Sequence, residues 1–397
     1  MSKLDVAAFV EGQVKAIREA LGEEKALIAV SGGVDSTVSA VLTHKALGDN
    51  LTCIFLDDHF MRLGEPDMVK AALSAPPLNL PVRVLKEKNR FMEALEGLSD
   101  AEEKRKAFRD TFYQTLSDVA WAENCKYLVQ GTIKADIEET AGGIKTQHNI
   151  LEQIGIDPVE KFGYKIVEPI ASLYKYQVRE VARFLGMPSE LSERQPFPGP
   201  GLSVRVVGEI TEEKIDQLKA ATQIVEDAFK KNNPAQYFVA IMSGGVTDAP
   251  KILRREAASA LDLEQAQIQA MYLTEKATGI IEGKRSYGFV AAVEVLDKED
   301  RPIDVGYNAV ERIRKEIQSN FPEVSRVLQL IATRSDDEGY YISMRAVETK
   351  DFLTADISKI PWTTLESTAK KILSACPKVI KVYYDVTPKP PATVEYE

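Results

Sequence analysis

The chain has 397 residues, 44% of them hydrophobic and 28% charged, with 50 basic against 60 acidic side chains and a formal charge of −10. That composition supports packed cores rather than a disordered chain, and the acidic balance speaks against a nucleic-acid coat or a polybasic membrane patch. No apolar run approaches the roughly 18 residues of a membrane span, and three scattered cysteines, Cys53, Cys125 and Cys376, speak against a disulfide framework, a zinc cluster or a paired redox centre. The expectation is a cytoplasmic enzyme with no nucleic-acid or membrane partner. The first residues, through Ala20, have the spacing of an amphipathic helix. Strands are predicted at Ala26–Val30, Leu51–Leu56, Pro81–Leu85, Tyr127–Gln130 and Ile166–Pro169, with helices after the first strand through Leu47, at Asp100–Ala122 and at Lys175–Leu185. Strands alternating with helices imply an α/β domain built on a doubly wound parallel sheet. The Gly-rich polar stretch 141–165 is too long for an ordinary connector and reads as a lid.

Pro196-Phe-Pro-Gly-Pro-Gly201 can form neither a helix nor an inner strand and marks a boundary. The predicted domains are therefore 1–195, a linker and helical region 196–275, and an α+β domain 276–397. The last of these repeats itself at an offset of about 55 residues. Tyr287–Val295, a helix with Val310, Ile313 and Ile317 on one face, and the run from Phe321 to Leu330 are echoed by Tyr341–Thr349, a helix with Leu365, Ile372 and Leu373, and the run from Cys376 to Asp385. Two strand–helix–strand copies in one chain would cover sheet faces that a homodimer otherwise covers, which predicts a monomer or weak homodimer.

The chemical signal is Ala29-Val-Ser-Gly-Gly-Val-Asp-Ser-Thr37, between a strand and a helix. Gly32 and Gly33 permit a tight turn and close approach of an anion. The amides that follow point at it from a helix N-terminus, and Ser31, Ser36 and Thr37 add hydroxyls. Asp35 caps the helix or holds magnesium. A second SGG, in Met242–Asp248, is followed by Pro250 where a helix should start, and reads as a turn.

SGGVDST after the first strand resembles the PP-loop ATP pyrophosphatases, an adenine-nucleotide alpha-hydrolase-like fold. With Lys104-Arg-Lys106, Gln130-Gly-Thr-Ile133, Ile144-Lys-Thr-Gln-His-Asn149, Arg194-Gln-Pro-Phe-Pro-Gly-Pro-Gly-Leu202, Arg345-Ala-Val-Glu-Thr349 and Lys389-Pro-Pro-Ala-Thr-Val-Glu-Tyr-Glu397, nearly the whole chain is similar to the synthetase part of the GMP synthase family. The resemblance implies adenylation of XMP by ATP, release of pyrophosphate, and displacement of AMP by ammonia. That ammonia would come from a separate glutamine amidotransferase subunit or from solution. It implies ATP contacts at Ser31, Gly32, Gly33, Val34, Asp35, Ser36, Thr37, Phe55, Leu56 and Gly131, with Asp35, Ser36 and the lid lysine Lys145 in catalysis. It also implies magnesium at Asp136 and Glu139, and XMP at Arg105, Arg345, Lys389 and Glu395. Departures from the family pattern stand at Asp58 and His59, at Gln147 before His148, at Ile281 in the Thr278–Gly283 turn, and at Ala291, where the second copy has Arg345. They leave open a different nucleotide or carbonyl acceptor, or a retired nucleotide-binding regulator.

Overall fold

The computed structural model describes residues 4–141, 157–189, 197–247, 249–261, 267–281, 283–336, 338–349 and 353–397. They group into two compact units, Met1–Ala94 with Ala107–Phe197, and Leu95–Lys106 with Pro198–Glu397. Among the described residues no helix is long and apolar enough to cross a membrane, and the three cysteines are free and buried.

In the first unit, α1 (Val6–Leu21), β1 (Lys25–Ala29), α2 (Val34–Leu47), β2 (Leu51–Asp57), α3 (Glu65–Ser74), β3 (Val82–Lys86), α4 (Lys88–Leu95), α5 (Ala101–Ala122), β4 (Cys125–Val129), α6 (Lys134–Ala141), α7 (Pro158–Phe162), β5 (Lys165–Val167) and α8 (Lys175–Phe184) follow in order. The start of α5, Ala101–Lys106, groups with the second unit. The strand order is β3-β2-β1-β4-β5, all parallel. A parallel sheet is covered on both faces, so its strands are apolar on both. In β1, Ala26 and Ile28 enter the core shared with α1, α2 and α8, whereas Leu27 enters the core formed with α5 and α7. Connection order reverses between β1 and β4, and in open α/β sheets that switch point, beyond the strands' carboxyl ends, is where ligands bind.

The second unit contains α9 (Glu212–Phe229), β6 (Gln236–Ser243), β7 (Val246–Thr247), α10 (Lys251–Leu261), β8 (Ile268–Ile281), β9 (Lys284–Val295), α11 (Tyr307–Asn320), β10 (Val324–Thr333), β11 (Tyr340–Glu348), β12 (Asp356–Ile357), α12 (Trp362–Ala375) and β13 (Val379–Asp385). Its sheet runs β12-β11-β13-β10-β9-β8-β7, and β6 pairs with β11. The repeat is present: β9 and β10 are parallel around α11, β11 and β13 are parallel around α12, and β10 meets β13 antiparallel. It is also larger than its sequence signature. An outer strand lies antiparallel to the first strand of each copy, β8 on β9 and β6 on β11. A further helix goes with each, α10 beside α11 and α9 beside α12. One copy, α10-β8-β9-α11-β10, is contiguous and sits inside the other, between β6 and β11. Gln329 of β10 faces Tyr384 of β13. These two residues occupy equivalent positions in the copies, so a pseudo-two-fold axis passes between them.

This corrects the expected helical linker 196–275. Among the described residues there, α9, α10 and two short 3-10 turns, Gly201–Arg205 and Lys230–Asn232, are helical, while β6 pairs with β11 from Gln236–Val347 to Ser243–Tyr340, and β8 begins at Ile268. Phe238–Met242 is buried without alternation, and a short apolar run does not distinguish strand from helix by period. The second SGG is the turn between β6 and β7, where a Cβ on Gly244 would collide with the carbonyl of Gly339.

Candidate functional site

At the switch point β1 ends with the Val30 amide donating to the Ile54 carbonyl at 2.8 Å. The chain then turns through Ser31, Gly32 and Gly33 into α2. Gly32 has φ +75°, and a Cβ there would stand 2.7 Å from Val69 Cγ2, so glycine is required twice over. Gly33 is the N-cap of α2 and no side chain caps the helix, which leaves its first amides for a ligand. The two serines brace the turn. Ser36 Oγ accepts from the Ser31 amide at 3.2 Å and donates to the Gly33 carbonyl at 3.3 Å, with Ser31 Oγ 3.1 Å away. Thr37 is fully buried in α2.

Gly131, after β4, closes the other side. A Cβ there would lie 2.7 Å from the Ser36 nitrogen and 2.8 Å from the Asp35 carbonyl carbon, both backbone atoms that cannot give way. Gly131→Val is therefore expected to push the two loops apart and to weaken ATP binding by about tenfold or more, on the order of 1.4 kcal/mol. The check is ATP titration calorimetry on a variant shown to keep its circular dichroism spectrum; unchanged affinity would refute the close approach.

Asp35 is paired through Oδ2 with Lys175, the first residue of α8, and its buried Oδ1 has no hydrogen-bond partner among the described residues. Burial raises its carboxyl above the ordinary range; Lys175 pulls it back only in part, Asp136 adds to the rise and Arg179 opposes it. Lys175 sits at the positive end of a helix dipole, an unfavourable place for a cation that the Asp35 carboxylate offsets. Tyr174 is the N-cap of that helix, with its amide donating to Gln177 Oε1 at 2.9 Å and its hydroxyl to Glu138 Oε1 at 3.0 Å. Asp136 accepts from the Ile133 amide at 3.1 Å at the start of α6. At the head of α2, Asp35 is thus paired with Lys175 and lies within the electrostatic reach of Asp136 and Arg179. The sequence did not single out Lys175 and Arg179; the available signal was their i, i+4 spacing on one face of α8.

Other expected residues fall differently. Phe55 and Leu56 are buried in β2, Phe55 wholly within the core, which leaves backbone rather than ring for a nucleotide. Lys145, Gln147 and His148 lie outside the described residues, as does the side chain of Glu139. Among the described residues no three His, Cys, Asp or Glu side chains form a metal-binding group.

The remaining residues belong to the second unit. Arg105 pairs with Glu102 Oε1 at 2.7 Å, and Arg285, which the sequence did not single out, reaches the same oxygen at 3.6 Å. The tail 389–397 is strapped down along its length. Lys389 bridges Ala355 through both backbone groups, at 2.7 and 3.0 Å. Arg326 donates to the carbonyls of Thr393 and Glu395, at 3.0 and 2.5 Å. Glu397 is buried against Lys104 and accepts from the Gly208 amide at 3.0 Å. Burial pushes the Glu397 carboxyl up to about 7 against the pull of Lys104, and lowers the Lys104 ammonium. Glu395 is gripped by Arg205 through two hydrogen bonds of 3.0 Å.

Arg345 requires a correction. Its guanidinium is fully buried and given over to Asp385 at 2.7 Å and to the carbonyls of Val394, Thr387 and Thr393, each at 3.0 Å. It holds the segment that carries Glu395 and is enclosed by the protein's own groups. Sequence cannot distinguish an arginine aimed at substrate from one aimed at its own chain.

Two protein families match this chain: NAD synthase over residues 5–243 and the GMP synthase C-terminal domain over residues 331–396. Among similar proteins is a subunit of the glutamine-hydrolyzing GMP synthase of Sulfurisphaera tokodaii, 42% identical over 99% of this chain and 99% of that one. Its namesake from Saccharolobus islandicus is 42% identical over 99% of this chain and 100% of that one. The protein of the same name from Methanopyrus kandleri is 38% identical over 99% of each chain.

Proposed function

The chain belongs to the GMP synthase family, with the relatives that form one subunit of the glutamine-hydrolyzing enzyme, and from that premise we propose how its residues share the ATP-dependent amination of XMP to GMP. It is a ligase that forms a C–N bond. The 2-carbonyl oxygen of xanthine is a poor leaving group, and adenylation by ATP makes it AMP, which ammonia displaces. The protein's work is to hold developing pyrophosphate charge and to align the reactants. The turn Ser31–Ser36 and the free amides of α2 hold the pyrophosphate oxygens, with Lys175 and Arg179 as counter-cations. The unpartnered Asp35 Oδ1 and the nearby Asp136 are hard oxygen donors that fit magnesium. Bound there, magnesium would neutralise phosphate charge; Glu139 and Lys145 keep the roles the resemblance gives them.

In the second unit, Arg105 and Arg285 receive the 5′-phosphate of XMP, for which guanidinium geometry is suited. Lys389 adds a further cation, and Glu395 accepts from ring N–H groups. Ammonia reaches the chain from a separate glutamine amidotransferase subunit, or from solution. We place the enzyme in the cytoplasm, as a monomer or weak homodimer, because β10 and β13 already join the two copies within one chain.

The observation that carries this reading is the glycine-bent, uncapped start of α2 at the β1/β4 switch point. The test is to supply ATP, magnesium, XMP and ammonium and to follow pyrophosphate and GMP. XMP-dependent pyrophosphate with stoichiometric GMP is expected. Pyrophosphate released only with another acceptor, or nucleotide binding without turnover, would replace the reading with one of its alternatives.

A further inference from the structure

We propose that Arg205 is the positioning residue for Glu395, fixing that side chain as an oriented, charge-compensated acceptor for the purine ring. The inference rests on the reading that Glu395 meets the xanthine ring. Arg205 ends the short 3-10 turn Gly201–Arg205 that follows the Pro-rich boundary. Its side chain is 2% exposed, and its guanidinium lies 4.3 Å from the centroid of Phe238 in β6. Nε donates to Glu395 Oε2 and Nη2 to Oε1, each at 3.0 Å, and Gln236 Nε2 donates to Oε1 at 3.2 Å.

This is the bidentate arrangement that fixes the plane of a carboxylate. Glu395 itself remains 20% exposed, so lone pairs are left for N–H donors outside. An unpaired carboxylate would repel an anionic nucleotide; paired with Arg205, it presents acceptors without net charge.

The tail's backbone does not depend on this pair. Arg326 and Arg345 hold the carbonyls of Thr393, Val394 and Glu395, and Tyr396 is anchored by its hydroxyl on Asp385 Oδ2 at 2.9 Å. Arg205 therefore acts on one side chain of a segment already in place, which is a positioning role rather than a general fastening.

The experiment compares Arg205→Met, Arg205→Lys, Glu395→Gln and the double variant Arg205→Met/Glu395→Gln in steady-state kinetics, with ATP affinity measured as a check on folding. For Arg205→Met the KM for XMP should rise about tenfold or more, with kcat within about threefold and ATP affinity unchanged. Arg205→Lys, which keeps charge but loses the fork, should recover part of that loss. In the Glu395→Gln background, Arg205→Met should add less than about twofold, because its effect passes through the carboxylate already removed. Fully multiplying effects, or an unchanged KM in both Arg205 variants when Glu395→Gln raises it, would overturn the assignment. If Glu395→Gln itself leaves KM unchanged, the purine-contact reading beneath it fails instead.

Discussion

Asp385→Ala should destabilise the second unit by about 3–5 kcal/mol, the cost of breaking a buried ion pair by removing one partner, a large share of the 5–15 kcal/mol typical of whole domains. The Asp385 carboxylate is fully buried and lies 2.7 Å from both Arg326 and Arg345. It also accepts from the Thr387 amide at 3.0 Å and the Tyr396 hydroxyl at 2.9 Å. Burial alone would raise its carboxyl, but Arg345 and Arg326 outweigh that and hold it below the ordinary range. Alanine leaves two guanidiniums buried without their counter-charge, and burial already lowers the Arg326 guanidinium.

Denaturant unfolding of wild type and variant measures the loss, and carboxypeptidase digestion reports release of the tail; an unchanged midpoint would refute the role. The pH dependence has a definite sign. A lowered carboxyl contributes stability that is present above its unfolded value and lost as pH falls through the lowered folded one. Asp385→Asn should therefore be less stable at neutral pH and lose less of its stability on acidification.

Asp35→Ala is the second large effect, this time on chemistry. XMP-dependent pyrophosphate release is expected to fall about 100- to 1000-fold, the range seen when one preorganised electrostatic contribution is removed, because the carboxylate would hold the magnesium that neutralises the pyrophosphate. Stability should hardly change, because its partner Lys175 is 44% exposed and can turn to water. Because burial raises the Asp35 carboxyl, activity that needs its ionised form should fade on the acid side at a higher pH than an ordinary carboxylate would give. Near-normal turnover by a folded Asp35→Ala would remove the basis for the cradle at the head of α2.

What sequence could reveal depended on distance along the chain. The strand–turn–helix around Gly32 is local, and its glycines and hydroxyls carry their own physical reasons, so it was legible at once. The five parallel strands were legible because strands covered on both faces read as short apolar runs. Lys175 stands 140 residues from Asp35, and Arg205 stands 190 from Glu395; only the fold brings them together. β6 could not be paired from sequence for a related reason. Its partner β11 lies beyond the whole inserted copy, so no hairpin signature marks it. Arg345 was found as a residue but misread in role, since burial is not written in a motif.

The nesting of one copy inside the other dictates an order of assembly. The inner copy is contiguous and can close as soon as β10 has left the ribosome. β6 emerges earlier yet must wait for β11, and contacts so distant along the chain form slowly. Until then a strand with five consecutive buried apolar residues, Phe238–Met242, is without its neighbour, and the outer copy is completed last, around a finished interior.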